Sequence, residues 1–180
     1  MRKVLFILGE LKEEDLDWLV GAGRVRRVDE GTAIIREGRT LDTFFIVLDG
    51  EFSVNVAALG GRSVALLGSG EVVGDMSLLD SRPPNATVMA SAPSTVFAIP
   101  QRSVRDKLAG DSGFAARFYR ALCVFLANRL SRTMAMSGRE GGASLDEDTQ
   151  DEDEIAPDQL EKVSLAGARF DWFMRRLREN

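Results

Sequence analysis

From Val25 to about Ile99 the chain is cut into short pieces by glycine. The runs "TAIIREG", "TFFIVLDG", "EFSVNVAAL", "RSVALLGSG", "ATVMASA" and "STVFAI" are rich in apolar and β-branched residues, and Gly31, Gly38, Gly50, Gly60-Gly61 and Gly70 stand at their joints. Glycine takes up positive φ without steric cost, which tight turns between strands require. Six or more short strands at this spacing predict an antiparallel sandwich or barrel of jelly-roll type.

The period is helical on both sides of this region. Residues 11–23, "LKEEDLDWLVGAG", form an expected short helix with Leu11, Leu16, Trp18 and Leu19 on its apolar side and Gly21 and Gly23 at its end. "QRSVRDKLAG" reads as another, closed by Gly110. A long helix is expected over Ser112–Ser137, capped by Asp111 or Ser112. The fold class is therefore α+β: an antiparallel β-roll with a short N-terminal helix and a long C-terminal one.

Along the long helix Phe114, Phe118, Leu122, Phe125, Leu126 and Leu130 recur at three- and four-residue steps, and "ALCVFLA" (121–127) is apolar all the way round. Such a helix must be covered on two sides. One side packs on the barrel. The other meets a second copy, giving a symmetric homodimer through helix 112–137, or is covered by the C-terminal tail of a monomer. Beyond residue 137 the chain becomes intensely acidic from Asp146 to Glu154, the pattern of a solvated linker. The last stretch is amphipathic, with Phe170, Trp172, Phe173 and Leu177 among Arg169, Arg175, Arg176 and Arg178. It reads as a helix docking back on the body or as a tethered segment for a protein partner. The expected organisation is a ligand-domain unit over 1–137, a linker over 138–157 and a tail over 158–180.

Composition removes several functions. With 180 residues there is room for one domain plus extras. A net charge of -5 and a pI near 4.9 disfavour a general nucleic-acid surface. The chain has no histidine, so histidine-based acid–base catalysis, Ser-His-Asp triads and His-rich metal sites are excluded. Cys123 cannot staple a fold, reads as a buried apolar residue on its helix, and suits a reducing, cytoplasmic setting. The opening "MRKVLFILGEL" is too short for a secretory signal, and no stretch would span a bilayer. No enzyme activity and no cofactor are expected.

The stretch "GDMSLLDSRPPNATVMA" (74–90) orders a glycine, an acid, a short helix former, a proline-stiffened turn and a strand start. Gly74 permits a sharp turn and close approach to a ligand, and "DMSLL" can begin a short helix whose first N–H groups face an anion. Together with "IIREGRTLDTFFIVLDGEFSV", "VFAIPQRSVRDKL" and "ANRLSRT", "GEVVGDMSLLDSRPPNATV" resembles the cyclic-nucleotide-binding domain family, shared by bacterial catabolite activator proteins, kinase regulatory subunits and gated channels. The resemblance covers about residues 10–137 and identifies the segment as the family's phosphate-binding cassette. It implies a regulatory sensor, with cyclic AMP or cyclic GMP as the ligand to test.

By the same resemblance the ligand-binding residues are Gly74, Asp75, Met76, Ser77, Arg82, Asn85, Ala86, Thr87 and Thr133. Asp75 takes the place of the family acid that accepts from the ribose 2′-hydroxyl, one methylene shorter than the usual Glu. Thr133 takes the place of a residue bonding the purine, while Met134 and Met136 either cap the base or fill a dimer core. The chain departs from the pattern at Pro84, which stands where the family carries the arginine that pairs with the cyclic phosphate. Proline supplies neither a charge nor an N–H, and burying a phosphate without a cation is costly. Arg82 either swings in as the substitute cation or stays in the loop. Asn85 and Thr87 either hold a polar ligand group or begin the turn and strand. Two readings follow: a ligand sensor, or a pseudo-receptor kept for dimerisation and protein interaction. The catabolite activators continue into a winged helix-turn-helix; this chain continues into the acidic stretch, so no direct DNA binding is expected.

Overall fold

The computed structural model describes residues 8–80, 82–140 and 167–177; for Phe125, Asn128, Arg129 and residues 131–140 only the backbone is described. After a helical turn at residues 8–10, the order is α1 (Glu13–Ala22), β1 (Arg24–Val28), β2 (Ala33–Ile35), β3 (Thr43–Asp49), β4 (Phe52–Asn55), a 3-10 turn (Ala57–Leu59), β5 (Ser63–Leu67), β6 (Val72–Val73), α2 (Asp75–Asp80), β7 (Thr87–Ala90), β8 (Ser94–Pro100), α3 (Gln101–Gly110) and α4 (Ser112–Glu140). A last helix, α5, covers 167–177.

The strands form two four-stranded antiparallel sheets, ordered β1-β8-β3-β6 and β2-β7-β4-β5. This is the expected β-roll. The expected joints hold as well: Gly31, Gly38, Gly50, Gly60, Gly61 and Gly70 all have positive φ.

Alternation along two strands explains how the roll is covered. On β3, Phe45 and Val47 join the apolar cluster between the sheets, while Phe44, Ile46 and Leu48 join a second cluster beneath the helices. On β8, Val96 and Ala98 face inward and Phe97 and Ile99 face the helices. Successive strand residues point to opposite faces, so a sheet covered on both sides reads as continuously apolar. That is why "TFFIVLD" and "STVFAI" show no polar alternation. β5, covered on one side at most, keeps only Leu67 buried.

The second cluster is closed by Leu16, Leu19 and Val20 of α1, Val104 of α3, Phe114, Phe118, Ala121 and Leu122 of α4, and Phe170 and Phe173 of α5. The inner face of α4 thus packs within the chain, and α5 is docked on the body. The helix start is set by Asp111, whose Oδ1 accepts from the Phe114 N–H at 2.8 Å. Cys123 is exposed, not buried, because it lies one residue off the stripe formed by Phe114, Phe118, Ala121 and Leu122. The expected linker falls outside the described residues from 141 onward.

One ion pair ties the ends of the helical layer. Asp15 is buried, and Arg117 of α4 grips it with Nε at 2.7 Å and Nη2 at 2.9 Å. The same carboxylate accepts from the Lys12 N–H at 2.8 Å, capping the start of α1. Burial alone would raise the Asp15 pKa, but the bonds from Arg117 and Lys12 outweigh it and hold it below the usual carboxylate value.

Candidate functional site

β6 ends at Val73, which pairs with Phe45 of β3, and the chain then turns at Gly74. Gly74 has φ of 90°, and a Cβ there would lie 2.9 Å from the Thr43 carbonyl oxygen and 3.0 Å from Leu41 Cδ2. Only glycine fits both the dihedral and the space. The Gly74 carbonyl accepts from the Leu78 N–H at 3.1 Å, which starts α2. A helix start leaves its first amides without intrahelical acceptors; here these belong to Asp75, Met76 and Ser77. The Asp75 and Ser77 side chains are buried, whereas Met76 is 52% exposed.

A clamp on α3 holds this turn from behind. Gln101 is fully buried. Its Nε2 donates to the Gly74 carbonyl at 3.3 Å, and its backbone N–H donates to the Asp42 carbonyl at 2.7 Å. Arg105 donates through Nη2 to Gln101 Oε1 at 2.9 Å and to the Ser77 carbonyl at 3.0 Å. The carbonyl side of α2 is thereby fixed by side chains more than twenty residues away in sequence. Gln101 and Arg105 were not among the expected site residues. One signal pointed to Gln101: it extends the Phe97–Ile99 alternation of β8 and places a polar side chain where that face calls for an apolar one.

The second half of the cassette is fastened to the turn before β3. Gly38 donates its N–H to the Pro84 carbonyl at 2.9 Å, and Glu37 donates its N–H to Thr87 Oγ1 at 3.1 Å. Glu37 Oε2 in turn accepts from the Ala57 N–H at 2.8 Å. Ala86 packs on the inner apolar cluster that also contains Val73 and Val88, so both ends of the cassette meet there. Asn85 is exposed. Pro84 thus contributes a carbonyl to the architecture of the loop, and the Thr87 hydroxyl accepts a bond at the strand start.

Arg82 lies on the surface. Its side chain is 82% exposed, with Nε 3.2 Å from Asp80 Oδ2, and its N–H donates to Asp80 Oδ1 at 3.0 Å. The structure therefore brings Gly74, Asp75 and Ser77 together behind the turn and keeps Arg82 and Asn85 outside. Thr133 sits on α4, with its side chain outside the described residues. Among the described residues no cluster of three metal-ligating side chains occurs, and no helix is long and apolar enough to cross a membrane.

Residues 25–111 match the family described as Cyclic nucleotide-binding domain. The chain is similar to the cAMP-dependent protein kinase regulatory subunit of Blastocladiella emersonii, at 29% identity over 118 residues, covering 64% of this chain and 29% of that protein. Among solved structures, a cyclic nucleotide-binding domain from Methylobacillus flagellatus superposes with a TM-score of 0.68 at 21% identity, covering 82% of this chain and 85% of the other. The regulatory domain of Toxoplasma gondii PKA, crystallised with cAMP, superposes with a TM-score of 0.54 at 26% identity, covering 58% of this chain and 42% of that one. The chain spans less than a third of the length of the curated relatives it matches. With the roll, the glycine-turned cassette and the flanking helices all in place, residues 25–111 belong to the cyclic nucleotide-binding domain family.

Proposed function

We propose that the chain is a regulatory sensor that binds a cyclic nucleotide, or a closely related small anion, at the cassette and signals through α4. The observation that carries this reading is the turn at Gly74. It has no room for a side chain and is clamped by Gln101 and Arg105 from behind, which holds the first amides of α2 in a fixed place beside buried Asp75. Fixed donors cost little reorganisation when an anion arrives. The named ligands of the relatives above, cyclic nucleotides, have the matching chemistry.

The cation for the phosphate is Arg82. Its ion pair with Asp80 is exposed, and such pairs are worth only about 0–1 kcal/mol, so leaving Asp80 for a less hydrated phosphate is a small step. Calorimetric titration with cyclic AMP, cyclic GMP and cyclic dinucleotides tests the reading. Saturable heat is expected for at least one ligand, with Arg82→Ala weakening it at least about tenfold, the loss of one charge-assisted contact. No heat and no thermal shift at millimolar ligand would sink the sensor. That outcome would favour the pseudo-receptor, a reading that Pro84 supports by filling the place of the family's phosphate-pairing arginine with a residue lacking charge and N–H.

A further inference from the structure

Helix α5 is docked on the strand that leads into the cassette clamp. Phe170 and Phe173, about one turn apart, are buried. The Phe173 ring meets Phe97 of β8 edge-on, with centroids 5.3 Å apart at 87°. Arg169 donates through Nη1 to the carbonyls of Leu8 at 3.0 Å and Gly9 at 2.8 Å. Beside these contacts the packing is open: a cleft of about 500 Å³ runs between α1 and α5, lined by Leu16 and Asp17 on one side and Arg169 and Trp172 on the other. An element anchored along one edge and open along another belongs to the low end of local stability.

From Phe97, β8 continues through Ile99 and Pro100 straight into α3. The first residue of α3 is Gln101, which holds the Gly74 carbonyl, and one turn later Arg105 holds that of Ser77. The clamp on the cassette therefore hangs from the strand on which α5 rests.

We propose that α5 is an in-cis cap with a docked and an undocked state, and that docking orders the cassette through β8 and α3. This rests on the cassette being the ligand site. The coupling is positive: a cassette already ordered by the cap loses less freedom on binding, and by linkage a bound ligand tightens the cap. Because α5 stays joined to α4 through the acidic stretch, undocking is reversible as an intramolecular event.

Amide hydrogen exchange on the full chain without ligand tests this. Phe173→Asp undocks the cap outright; Arg169→Ala weakens it while leaving both aromatic anchors in place. Exchange over 167–177 is to become free in Phe173→Asp and faster in Arg169→Ala, accompanied in both by faster exchange at 75–80 and 101–105, at least tenfold in Phe173→Asp, with 52–67 unchanged. Cassette amides that keep their wild-type rates while 167–177 exchanges freely overturn the proposal, as does an equal rise over 52–67 in both variants. Failure of the ligand reading is separate: it shows as absence of heat in wild-type titrations and leaves the exchange result standing.

Discussion

At Gly74 a side chain has nowhere to go: φ is 90°, and the Thr43 carbonyl stands 2.9 Å from where a Cβ would be. Gly74→Ala must either strain the backbone or push α2 off its clamp, at a cost of about 1–3 kcal/mol. The expected outcome is a lower Tm and a further loss of ligand affinity, because the misplaced turn moves the amides of Asp75 and Met76. Denaturant unfolding and titration of the same variant check both, and wild-type affinity in the variant would show that the turn does not hold the ligand. Arg82 contrasts with it. Being 82% exposed, it is expected to change affinity on truncation while leaving the Tm of the ligand-free protein unaltered.

Between elements, the Asp15–Arg117 pair joins the start of α1 to α4 across the helical layer. Its pH dependence has a definite sign. Asp15 has a lowered folded-state pKa, so its contribution is complete above the ordinary aspartate value of 3.8 and is lost as pH falls through the lower folded value. Arg117→Met should therefore lower the Tm at pH 7 and lose that difference as pH falls below 3.8; an equal difference at both ends would assign the effect to packing.

β3 and β8 stood out because both faces are apolar, and the glycine joints marked their ends. β1, "RVRRV", carries three exposed arginines at a sheet edge and only Val28 buried, so periodicity hid it. Charge on an edge strand is a known guard against mispairing. β6 has two residues, too few for any pattern. The cassette was readable as a local string, whereas its clamp arises only when Gln101 and Arg105 are brought against a turn distant in sequence.

For the whole molecule, the proposed homodimer must use the part of α4 that the chain does not cover itself. Leu122 is buried in the chain's own core, so an acid there would unfold the domain, whereas Leu130 is 56% exposed. Leu130→Asp should convert a dimer to a folded monomer by light scattering with an unchanged circular dichroism spectrum; a wild type that is already monomeric refutes the assembly. The proposed function seats a cyclic nucleotide at the glycine-turned cassette. Backbone amide NMR of the full chain during titration with cyclic AMP and cyclic GMP tests it most directly. Saturable shifts are expected at Gly74–Ser77, Arg82 and Asn85–Thr87, with β5 unmoved. Saturable shifts confined to other surfaces, or none at millimolar ligand, would contradict it.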